Sequence, residues 1–203
     1  MEIHLLTEGF VKNFLNEFVD IAGRLSVDDI HRVIDMLFEA WKNEKKVFLI
    51  GNGGSASTAT HFACDLAKTA SVEGKKRFRA ISLTENIPLL TALMNDEGPA
   101  SIFVEQLKNL LEKDDVVIAI SVHGGSGEDK AGPWSQNLLA AIKYAKENSA
   151  KTIGLSGFNG GALKEIADVC IVVPVNSTPY VESWHVALEH LITSCLKERI
   201  RTT

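Results

Sequence analysis

Residues 8–22 and 28–44 each repeat apolar positions every three or four residues. In the second stretch Ile30, Val33, Ile34, Leu37, Phe38 and Trp41 fall on one helical face. Both read as amphipathic helices, with Ser26 or Asp28 as the candidate cap of the second. Two helices cannot bury their apolar stripes on each other alone, so they are expected to lie on a sheet or on a partner chain. From residue 46 the pattern changes to short, continuous apolar runs rich in Val and Ile: KVFLIG (46–51), RAISL (79–83), DVVIAIS (115–121), KTIGLS (151–156) and VCIVVP (169–174). Continuous rather than alternating runs are what strands covered on both faces require. Helical segments at 56–70, 86–95, 99–112 and 135–149 separate them, and a last helix at 180–200 carries Val181, Trp184, Val186, Leu188, Leu191, Ile192 and Leu196. This alternation predicts an α/β, Rossmann-like fold: a three-layer sandwich with a five-stranded parallel sheet flanked by helices. It would be one domain over residues 1–203 with an N-terminal helical extension at 1–44. Right-handed crossovers would then set Gly51, Ser121 and Ser156 at the carboxyl edge, where open α/β sheets bind ligands.

Composition narrows the function classes. The 203 residues are 45% hydrophobic and 23% charged, ordinary for a globular chain and unlike a disordered one. A net charge of −5 gives no electrostatic reason to expect nucleic acid, and the basic EGKKRFR run at 73–79 reads as a solvated turn before a strand. Cys64, Cys170 and Cys195 are widely spaced and odd in number, as expected of buried thiols in a reducing compartment. No secretory leader or long apolar span is read, so the expectation is a cytoplasmic protein with no membrane partner.

The chemistry concentrates at two places. GNGGS (51–55) directly follows the first strand and opens a helix. Glycines permit close backbone approach there, and helix-start N–H groups with the Ser55 hydroxyl offer donors to an anion. The Lys and Ser/Thr of a P-loop are missing, and the third position of a dinucleotide fingerprint is Ala56, so a nucleotide and a purely structural turn stay as alternatives. Ser121, Ser126 and Ser135 around the third strand's exit repeat the hydroxyl theme, which suits one phosphate group. On the helix after the turn, His61 and Asp65 are i and i+4 and share a face, as two metal ligands or an acid–base pair would. The last helix offers Glu182, His185, Glu189 and His190. Moving a proton next to a carbonyl needs a base and an acid or Lewis acid, and carboxylate, imidazole and a metal such as zinc are the right types.

Taken together, GNGGSASTATHFACDL, AISLTENIPLLTALMND, DVVIAIS and YVESWHVALEHL resemble the sugar isomerase (SIS) domain family, in its phosphoheptose isomerase branch, over residues 8–200. The resemblance implies a phosphorylated sugar as substrate, with sedoheptulose 7-phosphate isomerised to a heptose 7-phosphate. It also implies Zn2+ as the metal, and a homotetramer with sites at subunit interfaces. By resemblance Asn52, Gly53, Gly54, Ser55, Ser121, Ser126 and Ser135 contact substrate, chiefly its phosphate, with Asp96 toward the sugar. His61, Asp65, Glu182 and His190 form the catalytic and metal cluster, Asp65 as base and His190 as acid, and Glu182 also faces substrate.

The chain departs from that pattern in four places. Cys64 and Asp65 stand where the family has two glutamates, Glu182 replaces a glutamine, and Thr69, beside Lys68, replaces an arginine. A compact serine loop is stretched to SVHGGSGEDKAGPWS (121–135), which brings in His123 as a further polar candidate toward substrate. Glu182 and His190 would lie about 12 Å apart along a straight helix, so a cluster using His185 is an alternative. The competing function is a non-catalytic SIS module that binds a sugar phosphate or a protein partner.

Overall fold

A computed structural model describes residues 2–125 and 135–203, with side chains from residue 7 onward. Its elements are α1 (Glu2–Arg24), α2 (Val27–Lys42), β1 (Lys46–Gly51), α3 (Gly54–Cys64), β2 (Arg79–Ser82), α4 (Ile87–Asp96), α5 (Val104–Leu110), β3 (Val116–Ser121), α6 (Gln136–Glu147), β4 (Lys151–Gly157), α7 (Gly161–Ile166), β5 (Val169–Val173) and α8 (Thr178–Arg201). The five expected strands pair in the order β2-β1-β3-β4-β5, all parallel. Since β1 crosses to β2 on one side while β3 lies on its other side, the chain reverses direction across the sheet between β1 and β3. In open α/β folds that reversal opens a crevice outside the strands' carboxyl ends.

Alternation along the strands builds two cores. Val47 and Leu49 of β1, with Val116, Ile118 and Ile120 of β3, face α2, α3 and α8; Phe48, Ile50, Val117 and Ala119 face α5, α6 and α7. The apolar stripe of α2 is buried on the first face, as expected, and each such side chain contributes about 1.5–3 kcal/mol on leaving water. Ser26 caps α2 by accepting from the Asp29 N–H at 3.2 Å. α1 is tied to α8 by stacked pairs, Phe14 on Tyr180 at 4.4 Å and Phe18 on Trp184 at 4.6 Å.

The structure differs from the sequence reading in three respects. The helix expected at 56–70 breaks after Cys64 into a wider turn, Asp65–Thr69, in which the Ala70 N–H reaches the Asp65 carbonyl five residues back. α7 was not expected, because six residues with Leu163 as the one buried apolar side chain show no helical period. Cys64 is exposed rather than buried: at the end of α3 it points away from Phe62 and Ala63, which hold the core. Among the described residues no helix is long and apolar enough to cross a membrane.

Candidate functional site

The glycine turn lies at the carboxyl end of β1, beside the end of β3. A Cβ on Gly51 would stand 2.3 Å from the Ser55 carbonyl oxygen, so only glycine lets the strand pass this close to the helix start. Gly53 takes φ +56° and ψ −124°, a conformation other residues avoid, and its carbonyl accepts from the Ala56 and Ser57 N–H groups. The turn is joined to α6 by a reciprocal amide pair, Asn52 and Asn137 exchanging bonds of 3.0 and 2.9 Å. Buried Ser121 donates or accepts toward Ser135 at 3.5 Å and accepts from the Gly125 N–H. Ser135 occupies the N-cap position of α6, as expected, but its hydroxyl does not cap the helix. Left-handed backbone (φ +60°) leaves that hydroxyl beside Ser121 instead. Two helix starts and two serines therefore meet where the topology places the crevice.

The second centre lies further along α3. α8 packs against α3 and the wide turn after it, which brings Glu189 and His190 to His61 and Asp65. One potential ligand atom from each of these four side chains lies within 4.8 Å of the others. His61 Nδ1 is 2.7 Å from Glu189 Oε1, His190 Nε2 is 3.5 Å from Asp65 Oδ2, and His61 Nε2 is 4.0 Å from that same oxygen. The two imidazoles meet edge to face at 4.9 Å. Asp65 Oδ1 accepts from the Thr69 hydroxyl at 2.8 Å, which holds the carboxylate with Oδ2 toward the histidines. Both residues belong to the wide turn, four positions apart.

Glu189 is the unusual member. Its side chain is 0% exposed, and neither oxygen has a hydrogen-bond partner, the close approach of His61 being poorly aligned for one. Burial, and then the negative charge of Asp65, push its carboxyl up to about 8. Asp115, equally buried, is by contrast satisfied: it accepts from the Lys46 and Glu112 N–H groups. An orphaned buried carboxylate facing two imidazoles and a second carboxylate is the donor set a divalent cation takes. The described residues thus contain a cluster able to hold a metal ion.

The remaining expected residues are placed as follows. Glu182 stands outside the cluster: a Cβ on Gly54 would lie 2.4 Å from its Oε1, so its carboxylate lies against the glycine turn. His185 is also outside it, 1% exposed and pushed down to about 4 by burial. Asp96 is exposed at the end of α4, where it accepts from its neighbour Asn95 at 2.7 Å, and the structure does not bring it to the cluster. His123 packs its ring on Phe158 at 4.3 Å. Ser126 lies outside the described residues. Asn137 and the hold of Thr69 on Asp65 were not read from the sequence, and Glu189, named among the polar residues of the last helix, was not assigned to the cluster. A signal for Glu189 existed: it lies four residues from His185 and four from Thr193, within the stripe of α8 that also buries Leu188, Ile192 and Leu196.

Similar proteins agree with this architecture. Residues 12–157 match the family model of the SIS domain. The chain is 39% identical over 186 residues to the lincomycin biosynthesis protein LmbN of Streptomyces lincolnensis, covering 90% of this chain and 66% of that protein, about two thirds of its length. It is 41% identical over 160 residues to the phosphoheptose isomerase of a Nitratiruptor species, covering 79% and 80% of the two chains. Its fold matches phosphoheptose isomerase GmhA from Neisseria gonorrhoeae with a TM-score of 0.83 at 27% identity, over 95% of this chain and 99% of that one. With its parallel sheet, glycine turn and histidine–carboxylate cluster, the chain belongs to the SIS domain family, in the phosphoheptose isomerase branch.

Proposed function

We propose that the chain is a phosphosugar isomerase that interconverts a ketose phosphate and an aldose phosphate, with sedoheptulose 7-phosphate and a heptose 7-phosphate as the pair. The observation that carries this reading is the placing of a proton-transfer cluster on the helix that starts at the glycine turn. Seven residues separate Gly54 from His61, about 10 Å along α3. A phosphate at the turn, held by N–H groups, Ser55 and the Ser121–Ser135 pair, leaves a long sugar chain directed toward the cluster.

In this reading Asp65 takes the proton from the carbon beside the carbonyl at Oδ2, the oxygen not engaged by Thr69, and returns it to the former carbonyl carbon. His190 moves the proton between the sugar oxygens through Nε2, 3.5 Å from Asp65. Zinc is the metal proposed, held by side chains of the cluster, and when bound it supplies Lewis-acid polarisation of the carbonyl. An ionised carboxylate has about four lone-pair sites across its two oxygens, so one that helped to hold a cation would keep a site for the proton. Incubating the purified protein with sedoheptulose 7-phosphate and Zn2+ is expected to yield the aldose phosphate. No turnover of any ketose phosphate in a panel, with Zn2+ present, would refute the reading.

A homotetramer with sites at subunit interfaces belongs to the same proposal. Phe10 and Val19 of α1 are 70% and 72% exposed, α1 also exposes Val11 and Leu15, and α4 buries none of its side chains. Contiguous apolar surface of this kind is normally covered by another chain. Light scattering is expected to give the mass of four chains, and a one-chain mass at working concentration would remove the shared-site model.

A further inference from the structure

We infer that Gly161 is a positioning residue for the anion site: the loop after β3 closes its carbonyl edge on the bare Cα of Gly161, and that contact sets the Ser121 hydroxyl as a donor. The inference rests on the reading of Ser121 as a phosphate contact. Four consecutive carbonyls of the loop face the connection from β4 to α7. Val122 O accepts from the Gly157 N–H at 2.9 Å, and Gly124 O accepts from the Leu163 N–H at 2.8 Å. The His123, Gly124 and Gly125 oxygens all lie within 2.8 Å of the point where a Cβ on Gly161 would stand. Gly161 also has φ +55°, so no side chain fits there. The contact is bare from the other side as well, since a Cβ on Gly124 would run into the Gly160 oxygen. α7 is anchored beneath it by Leu163, its one buried apolar side chain, which fills the space beside Gly154.

Carbonyl direction fixes N–H direction. In a trans peptide the C=O and the following N–H point opposite ways. With its carbonyls turned to α7, the loop turns its N–H groups to Ser121. The Gly124 N–H reaches the Ser121 carbonyl and the Gly125 N–H reaches Ser121 Oγ, both at 3.3 Å. Gly124 O and Gly125 N belong to one peptide unit, so a continuous chain runs from the Leu163 N–H through that peptide to the Ser121 hydroxyl. Bonds in such a chain polarise one another. A hydroxyl has one proton and two acceptor sites, so Ser121, accepting from Gly125, directs its own proton away from the loop. On that side stands Ser135, at 3.5 Å, with which Ser121 would share an anion.

The test is binding of inorganic phosphate to the full chain, measured by calorimetry and read beside KM and kcat for sedoheptulose 7-phosphate. Gly161→Ala is expected to raise the phosphate Kd and KM together by about 10-fold or more, as losing a hydrogen bond to a charged group does. kcat should stay within about threefold. A merely structural glycine would lower Tm and the active fraction at unchanged Kd and KM, and that result would overturn the inference. Pairing with Ser121 gives the second readout. Ser121→Ala should weaken phosphate by a similar factor, and adding Gly161→Ala to it should cost less than about threefold more, because groups in one network are not additive. Fully additive losses would show that Gly161 does not act through Ser121. Parental phosphate affinity in Ser121→Ala would instead remove the anion-site reading, and the inference with it. Should Gly161→Ala fail to fold, Asn159→Ala takes its place: exposed Asn159 accepts from the Gly161 N–H at 3.1 Å and fixes that turn. Its loss should raise Kd and KM by about threefold, within the net worth of one neutral hydrogen bond. Parental values in that variant would count against Gly161 as decisively.

Discussion

Asp65→Asn is expected to lower kcat by about 10³-fold, inside the range of about 10²–10⁴ that a positioned general base supplies. At about 1.36 kcal/mol per tenfold, this corresponds to roughly 4 kcal/mol of transition-state stabilisation. An amide keeps the shape of the side chain, and its oxygen can still accept from the Thr69 hydroxyl. What it loses is a basic oxygen facing His190. KM is expected to stay within about threefold, because the phosphate donors lie at the other end of α3 and are untouched. The assay belongs at saturating Zn2+, so that weaker metal holding is not mistaken for a lost base. Stability supplies the control. Asp65 adds negative charge next to buried Glu189, and burial together with that charge raises the Glu189 carboxyl to about 8. Removing the charge should bring that value part of the way down, the burial remaining. It should also leave the metal-free Tm unchanged or higher. A variant that melts normally and has lost turnover identifies a functional carboxylate, whereas kcat within about threefold of the parent would remove Asp65 from the base role.

The layered architecture was legible because apolar period survives in single residues. Continuous Val- and Ile-rich runs gave five strands, and the structure pairs all five in parallel. The stripe from Ile30 to Trp41 gave α2 with Ser26 at its cap. Local punctuation was legible in part: GNGGS gave the turn, but nothing in ACDLAKT spells a wide turn instead of a continuing helix. That change of winding occurs where α8 packs against α3 and the turn, and the turn carries both Asp65 and Thr69. The cluster was half legible for the same reason. His61 and Asp65 share a helix, so i, i+4 spacing finds them, but their partners come from a helix more than a hundred residues later. That Glu189 lies against His61 while Glu182 lies against Gly54 follows from the register between α3 and α8, which neither sequence stretch contains alone. Asn52 and Asn137 illustrate the point in the other core layer: eighty-five residues apart, they form one reciprocal pair.

Gly51→Ala is expected to cost about 3 kcal/mol of stability, the upper end for inserting a methyl into a packed site. It is also expected to reduce kcat/KM by about 100-fold, since a shift near 1 Å in positioning groups already has that effect. The added Cβ would stand 2.3 Å from the Ser55 oxygen, 2.5 Å from the Ser55 carbonyl carbon and 2.9 Å from the Ala56 nitrogen. All three are backbone atoms, so no rotamer change relieves the contact, and the strand and the helix start must move apart. That movement strains the bonds that define the turn, Ser55 N–H to Asn52 and Ala56 N–H to Gly53, both 3.0 Å. The groups displaced are those that would hold the phosphate. Gly53 gives the internal comparison. A Cβ there meets nothing within 4 Å, so Gly53→Ala has only its positive φ to contend with, about 1–3 kcal/mol of local strain. The helix start can stay in place in that variant. KM should therefore rise more in Gly51→Ala than in Gly53→Ala, although both alter glycines of one turn. Equal effects would mean that backbone conformation, not the closeness of β1 to α3, shapes the anion site. A Gly51→Ala protein with parental stability and KM would remove the turn from substrate binding altogether.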